Sequence, residues 1–251
     1  MPSDITKTTH NQPPRAILFD VYQTLLSVGP PPADAGLRWC GLWTETLGSA
    51  PGLSLEAVAA ATANIIQTDH AAARAAGIRF PEVFWPSVMR RAVPGLNPLT
   101  DDALDTFLFL HAQLMHTVKL MPGAAELLRP LSGIGIPLGL VSNAQPYTAR
   151  ELELALADVR LNRSLFRPDL VFWSYLHGYA KPDPHVFRAL GARLLVAGVA
   201  PEHILMVGDR EDNDIDPARN QGWRTWQLTP TPVAESTDAG DWQQLGALLG
   251  F

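Results

Sequence analysis

The chain has 251 residues, of which 47% are hydrophobic and 18% charged, and its net charge is −6. This composition is typical of a globular protein that is long enough to bury a substantial core. The negative net charge argues against nucleic acid or an anionic membrane surface as a partner.

Residues 1–14 are polar and contain no apolar segment of the signal-peptide type, so we expect them to form a flexible leader. The chain has a single cysteine, Cys40, and therefore no internal disulfide, which is typical of a reducing compartment. No stretch reaches the roughly 20 apolar residues that span a bilayer. These features together predict a cytoplasmic protein without a membrane partner.

The first buried element is the apolar run Ala16–Phe19, which ends at the carboxylate of Asp20. The run is too short for a helix and does not alternate, as is typical of a strand buried on both faces of a parallel sheet. Three later apolar runs also end in polar residues: residues 137–141 before Ser142, residues 170–173 before Ser174, and Ile204–Gly208 before Asp209. Because ligands of such sheets bind outside the carboxyl ends of the strands, we expect these side chains to line one crevice.

Residues 29–117 form a region rich in alanine, leucine and tryptophan, which begins with an extended Gly-Pro-Pro-Pro connector. Ser54 is the predicted N-cap of the second of its helices, and Pro81 marks the start of the third. No strand pattern interrupts the region, so the sequence predicts an all-helical insertion. The spacing of apolar residues predicts helices over residues 37–47, 55–77, 82–93 and 101–115.

The remaining residues, 15–28 and 118–251, alternate between strand and helix patterns. Helices are predicted after the second and third strands, and a last strand precedes a C-terminal helix. This order predicts an α/β fold with a Rossmann-like parallel sheet flanked by helices. The predicted elements are helices over residues 146–157, 184–197, 214–220 and 242–251 and a strand over residues 223–228.

Four short motifs at the predicted strand ends resemble those of the haloacid dehalogenase-like (HAD) hydrolases. They occur in the order of that family and span residues 16–228. The resemblance implies a hydrolase whose helical insertion, residues 29–117, is a cap domain that closes over the site and sets the choice of substrate. In chain order the motif residues are Asp20 with Thr24, Ser142 with Asn143, Lys181, and Asp209 with Asp214.

The resemblance also implies a chemical role for each acidic residue. Asp20 is the expected nucleophile, because a carboxylate attacks without prior deprotonation and forms an acyl intermediate that water opens. Asp20, Asp209 and Asp214 supply hard oxygen ligands for Mg²⁺, together with the main-chain carbonyl of Tyr22. Lys181 and the metal would balance the three carboxylates before an anionic substrate enters.

Thr24, Ser142 and Asn143 are expected to bind phosphoryl oxygens through their hydroxyl and amide groups, assisted by the helix that follows Ser142. Taken singly, each polar residue could be a turn, cap or solvated loop residue. Their joint placement favours one shared site, in line with convergent polar groups in a crevice. The expected partner is a small phosphorylated or halogenated acid.

Tyr22 departs from the phosphatase pattern, in which a second aspartate protonates the leaving group. The 2-haloacid dehalogenases of the family also have tyrosine there, and a departing halide needs no proton. Those enzymes work without a metal and hold the substrate carboxylate with an arginine near the start of the cap, for which Arg38 is the candidate. If the reaction is a phosphatase reaction, His70 or His116 could supply the proton.

Three functions therefore remain open. Asp209 and Asp214 favour a Mg²⁺-dependent phosphatase of small metabolites, and Tyr22 favours a metal-independent 2-haloacid dehalogenase. The missing aspartate, together with Gln23 at a position where the family has glycine, would suit a catalytically weak protein that binds a ligand. Neither the substrate nor the oligomeric state follows from the sequence.

Overall fold

The computed structural model describes residues 13–234 and 236–251, so the predicted leader lies almost wholly outside the described residues. Strands in this part of the chain form two sheets. The larger sheet is parallel throughout. The strands are β1 (Ala16–Phe19), β2 (Leu26–Gly29), β3 (Thr117–Leu120), β4 (Leu138–Ser142), β5 (Val171–Trp173), β6 (Ile204–Gly208), β7 (Arg224–Leu228) and β8 (Ala239–Gly240).

The parallel sheet has the strand order β5-β4-β1-β6-β7-β8, which places β1 in its interior. Alternate residues of β1 pack into different cores: Ile17 and Phe19 into one, Ala16 and Leu18 into the other. Both faces of the strand are therefore buried, as the unbroken apolar run predicts. The α/β fold class with a Rossmann-like sheet is confirmed.

Helices cover both faces of this sheet and also fill the segment between β2 and β3. None of the helices in the described ranges combines the length and apolarity that a membrane span requires. The helices are α1 (Ala35–Leu47), α2 (Leu55–Ala75), α3 (Trp85–Ala92), α4 (Asp101–Met115), α5 (Ala124–Gly133), α6 (Pro146–Asp158), α7 (Pro184–Val196), α8 (Asp216–Arg219) and α9 (Trp242–Leu249).

The helical insertion, α1–α4, has a hydrophobic core of its own, centred on Trp39, Met89 and Phe107. The predicted N-cap of helix α2 is present, since the Ser54 hydroxyl accepts a hydrogen bond from the Ala57 N–H at 3.2 Å. Strands β2 and β3 pair antiparallel where the insertion leaves and rejoins the core. These two strands have only four residues each and are partly exposed, so no clear periodicity marks them in the sequence.

The third predicted helix begins later than expected. It starts at Trp85 with Pro86 in its first turn, whereas Pro81 lies in an extended segment that pairs with Tyr179. The Ala180 N–H donates to the Phe80 carbonyl at 2.9 Å in the same pairing. Proline suits the first turn of a helix, and here the second of two available prolines occupies it.

Candidate active site

Three carboxylates meet at the carboxyl end of the parallel sheet. Asp20 follows β1, Asp209 follows β6, and Asp214 lies in the short helical turn Glu211–Ile215 that comes next. One oxygen from each carboxylate lies within 4.8 Å of the other two. Asp20 and Asp214 are buried and Asp209 is half-buried. The structure therefore brings together the three residues predicted to bind a metal.

A glycine permits the close approach of the last of these carboxylates. A Cβ atom at Gly208 would lie 2.5 Å from the Cβ of Asp214, which no side chain could tolerate. The turn that follows is closed by the Arg210 N–H, which donates to Asp214 Oδ2 at 3.2 Å. The Gly-Asp pair at the end of β6 thus lets the chain fold back and present two carboxylates to one point.

Lys181 supplies a buried positive charge to this cluster. Its Nζ donates to Asp20 Oδ1 at 2.6 Å and to Asp214 Oδ1 at 2.5 Å, and its side chain is 2% exposed. The side-chain amide of Asn143 bonds to both polar groups of the Lys181 main chain. The Lys181 N–H donates to Asn143 Oδ1 at 2.7 Å, and Asn143 Nδ2 donates to the Lys181 carbonyl at 3.0 Å. Asn143 thus positions the lysine, and its contact with a phosphoryl oxygen stays a prediction.

Burial governs the protonation of the cluster. It raises the pKa of Asp20 to about 7, although Lys181 acts in the opposite direction, and the Asp214 charge adds to the rise. Burial and then Asp214 also raise the pKa of Asp209. Burial alone would lower the pKa of Lys181, but the charges of Asp20 and Asp214 outweigh it and the pKa is raised.

The donor set fits a hard divalent cation. Three carboxylates offer oxygen ligands to one point, and Lys181 alone cannot neutralise them. Mg²⁺ prefers oxygen ligands and commonly binds through a few carboxylates while keeping several waters. The main-chain carbonyl of Tyr22 as an additional ligand stays a prediction.

Two hydroxyl groups at the same edge of the sheet are buried without a partner. Thr24 and Ser142 are fully buried, and neither hydroxyl has a hydrogen-bond partner among the described residues. Buried polar groups are nearly always paired in native proteins, so two unpaired hydroxyls near one site indicate a missing ligand. Thr24 follows Asp20 in the loop after β1, and Ser142 is the last residue of β4.

The Tyr22 side chain bonds to the core helix α6. Its hydroxyl donates to Glu151 Oε2 at 2.6 Å and lies 2.9 Å from Thr148 Oγ1. Burial, and then the charge of Glu151, raises the pKa of the Tyr22 phenol above its ordinary value. The phenol therefore keeps its proton at neutral pH and gives its hydrogen bond to Glu151.

Glu151 joins the helical insertion to the core. It is 1% exposed and also accepts from Gln113 Nε2 at 2.7 Å and from His116 Nε2 at 2.8 Å. Of the two histidines considered as proton donors, His116 thus lies beside Tyr22, with ring centroids 6.1 Å apart. Glu151 carries no signal in the sequence, because a glutamate on an amphipathic helix normally marks the solvated face.

A second polar contact between insertion and core involves Ser174. Its hydroxyl donates to Glu82 Oε2 at 2.7 Å, and Gln145 Nε2 donates to Glu82 Oε1 at 3.0 Å. The Ala144 N–H in turn donates to Ser174 Oγ at 2.8 Å. Ser174 was expected to line the crevice with the other strand-end residues, but its hydroxyl is engaged by this contact.

Arg38 is not brought to the carboxylate cluster. Its guanidinium pairs with Asp34 one turn earlier at 2.8 Å, and its side chain is 57% exposed. Trp39 and Trp43 occupy the buried face of α1 instead. The predicted role of Arg38 in holding a substrate carboxylate therefore has no support from its position, because solvent and Asp34 already satisfy its charge.

A protein-family comparison identifies the group to which this arrangement belongs. The model of the haloacid dehalogenase-like hydrolases matches residues 14–222. The chain belongs to this family of hydrolases. The match covers all four motifs read from the sequence, so the predicted resemblance is confirmed.

Individual HAD proteins resemble parts or all of the chain. A phosphoserine phosphatase of Thermus thermophilus is 37% identical over 105 residues, which are 42% of this chain and 39% of that protein. A 2-haloacid dehalogenase structure from Pseudomonas syringae has a TM-score of 0.57 at 22% identity, covering 93% of this chain and 97% of that one. A HAD hydrolase of Bacillus subtilis solved with magnesium has a TM-score of 0.52 at 19% identity, covering 96% of this chain and 100% of that one. The two structural likenesses show the fold.

Replacement of Glu151 tests its structural contribution. We expect Glu151→Ala to lower the free energy of unfolding by about 3 kcal/mol or more, because three partly buried donors lose their acceptor. Glu153→Ala on the same helix is the matched control, since Glu153 is 41% exposed and pairs with Arg163 at the surface. Urea unfolding measures both. Equal small losses in the two variants would contradict the buried network.

Proposed function

We propose that this HAD hydrolase is a Mg²⁺-dependent phosphatase, which hydrolyses a small phosphorylated metabolite through an aspartyl-phosphate intermediate on Asp20. One observation carries the proposal: Asp209 and Asp214 join Asp20 with their oxygens within 4.8 Å of one another. By the family resemblance, 2-haloacid dehalogenases work without a metal and have no need of such a cluster. Three converging carboxylates beside one lysine are instead suited to a divalent cation and a dianionic phosphate.

In this proposal the residues of the cluster have distinct tasks. Asp20 attacks phosphorus, and Lys181 holds the attacking carboxylate and balances charge on the phosphoryl group. The unpaired hydroxyls of Thr24 and Ser142 donate to phosphoryl oxygens. Asp20, Asp209 and Asp214 would hold Mg²⁺, whose positive charge would let the Asp20 carboxylate and the phosphate group approach each other. Asn143 keeps Lys181 in place through its two main-chain contacts.

The leaving group departs without help from residue 22. The Tyr22 phenol gives its hydrogen bond to Glu151, and its pKa is raised, so it is a poor acid for the leaving oxygen. We therefore expect fast turnover of substrates whose leaving groups need little protonation, such as aryl and acyl phosphates. Alkyl phosphates are expected to react more slowly.

The helical insertion is the proposed cap domain, with residues 29–117 covering a core of residues 15–28 and 118–251. Two polar contacts support this assignment, because Glu151 bonds to Gln113 and His116, and Glu82 bonds to Gln145 and Ser174. Both contacts lie on α6 or beside it, close to the end of β4. An insertion in contact with this part of the core would limit which substrates reach Asp20.

The comparisons support the proposal to different extents. The partial match to a phosphoserine phosphatase favours phosphoryl chemistry, and a HAD hydrolase of the same fold was solved with magnesium. Tyr22 favours 2-haloacid dehalogenase activity as the second candidate, in agreement with the dehalogenase fold neighbour. The position of Arg38, which is exposed and pairs with Asp34, does not favour that candidate.

Metal-dependent turnover distinguishes the two reactions. We expect the purified protein to hydrolyse 4-nitrophenyl phosphate with Mg²⁺, and the activity to disappear in EDTA and to return when Mg²⁺ is added. Release of chloride from 2-chloropropionate is measured with the same protein, again with and without metal. Chloride release that is independent of metal, with no phosphate release, would replace the phosphatase proposal by the dehalogenase one.

A further inference from the structure

A cavity of about 260 Å³ lies in the helical insertion, between α2 and α4. Helix α2 lines it with small and branched side chains, and Ala112 and Met115 line it from α4. Trp85 and Tyr147 contribute aromatic rings. An apolar cavity of about 150 Å³ already accepts benzene, so this one has room for a single substituted ring.

Two polar atoms of the lining are buried without a partner. Trp85 Nε1 and His111 Nε2 have no hydrogen bond to any residue in the described ranges. His111 is 3% exposed and lies between the rings of Trp39 and Trp85, with centroids 5.6 and 6.3 Å away. Burial lowers the pKa of His111 to about 4, so the imidazole is neutral at pH 7. Trp85 Nε1 is thus a donor in the lining that a ligand with a hydrogen-bond acceptor would satisfy.

The lining offers no charged partner to a ligand. It contains no lysine, arginine, aspartate or glutamate, and His116, its other histidine, already donates to Glu151 at 2.8 Å. A carboxylate or ammonium group that entered the cavity would lose its hydration without gaining an opposite charge. The cavity therefore selects for uncharged groups.

The loop that carries the nucleophile contacts the lining of the cavity through Tyr22. The residue is two positions from Asp20, and its ring packs edge-to-face against the ring of His116, which lines the cavity. Tyr147, also in the lining, lies against His116 with ring centroids 6.4 Å apart. The cavity is thus adjacent to the loop that carries the nucleophile.

We propose that this cavity binds the organic group of the substrate, and that this group is an uncharged ring-sized moiety with one hydrogen-bond acceptor. The inference rests on the proposed phosphatase function and names its substrate class: aryl or compact cyclic phosphate monoesters. Trp85 Nε1 would donate to the acceptor of the ring, and His111 Nε2 would also donate to that acceptor in the tautomer that carries its proton on this nitrogen. Phosphorylated amino acids and 2-haloacids, whose organic groups are charged, are excluded by the same lining.

Filling the cavity tests the proposal. Ala59 lines it from α2, whereas its neighbour Ala60 is exposed and does not line it. We expect Ala59→Leu to raise KM for 4-nitrophenyl phosphate about tenfold and to leave the hydrolysis of acetyl phosphate unchanged, because the acetyl group needs no cavity. Ala60→Leu should change neither KM for 4-nitrophenyl phosphate nor the hydrolysis of acetyl phosphate. A change of KM that is equal for both substrates in Ala59→Leu, or no change for either, would overturn the proposal.

A matched pair of substrates tests the exclusion of charge. We expect 3-carboxyphenyl phosphate to have a KM about tenfold or more above that of phenyl phosphate. The nitrogen of Trp85 is tested with Trp85→Phe, which keeps the aromatic contact and should weaken inhibition by the uncharged acceptor nitrobenzene more than inhibition by toluene. Equal KM values for the two phosphates would contradict the uncharged lining.

Binding of nitrobenzene, an uncharged ring with a hydrogen-bond acceptor, separates this proposal from the phosphatase proposal. Equilibrium dialysis requires no turnover, so it reports on the cavity even if the protein hydrolyses no phosphate ester. Binding to the unchanged protein and to Ala60→Leu, but not to Ala59→Leu, supports the cavity. Binding that Ala59→Leu leaves unchanged, or no binding to any of the three proteins, overturns it.

Discussion

Asp20→Asn is expected to lower kcat for 4-nitrophenyl phosphate by about 10⁴-fold or more, because an amide cannot form the covalent intermediate. The rest of the site should remain folded, since Lys181 keeps its contact with Asp214. Initial rates with saturating Mg²⁺ measure the effect. Asp212→Asn is the matched control in the loop after β6, because Asp212 is exposed and pairs with Arg210. Its rate should stay within twofold.

The pH dependence of stability gives an independent check on the same variant. The pKa of Asp20 is raised to about 7 in the folded protein from 3.8 in the unfolded chain. The folded state therefore binds more protons between these values, and the metal-free protein loses stability as the pH rises from about 4 to 7. Asp20→Asn removes this loss, so the variant should gain in unfolding free energy relative to the unchanged protein between pH 5 and pH 8. A constant difference across this range would show that Asp20 is not buried as described.

Lys181→Met is expected to have the largest effect on stability. The variant keeps the length of the side chain but leaves Asp20 and Asp214 buried without their cation, a change that typically lowers the free energy of unfolding by about 3 to 5 kcal/mol. Without Lys181 the pKa of Asp20 should rise further, so the loss should be larger at pH 8 than at pH 5. Urea unfolding in EDTA at pH 5 and pH 8 measures the loss of unfolding free energy in Lys181→Met.

Lys119→Met is the control for this variant, since Lys119 is exposed on β3. It should change the free energy of unfolding by less than about 0.5 kcal/mol. Mg²⁺ should restore part of the stability lost in Lys181→Met, because a cation bound to the folded state favours folding. A destabilisation that does not depend on pH, and that Mg²⁺ does not reduce, would contradict a carboxylate cluster held by charge balance.

The parallel core could be predicted from the sequence because its strands are buried on both faces. An unbroken apolar run of four or five residues has few other uses, and the runs at β1 and β6 have the predicted bounds. The antiparallel pair β2 and β3 lacks this signal, because most of its residues are partly exposed. The start of α3 was misplaced because two prolines compete for its first turn.

The carboxylate cluster could also be predicted, since strand order in a parallel sheet brings its carboxyl ends together. Contacts that depend on the packing of helices could not be predicted from the sequence. Asn143 looks like a phosphate ligand in the sequence, and only the fold shows that its amide also holds the main chain of Lys181. Glu151 and the donors that surround it are distant in sequence, and no local pattern marks a buried glutamate on α6.

Detection of the covalent intermediate tests the phosphatase proposal most directly. The protein is mixed with 4-nitrophenyl phosphate and Mg²⁺ and quenched in acid during turnover, and the mass of each proteolytic peptide is measured. We predict that the peptide containing Asp20 carries one added phosphoryl group, which is absent in EDTA and in Asp20→Asn. Turnover of the substrate with no phosphorylated Asp20, or with the group on another residue, would contradict the role assigned to this site.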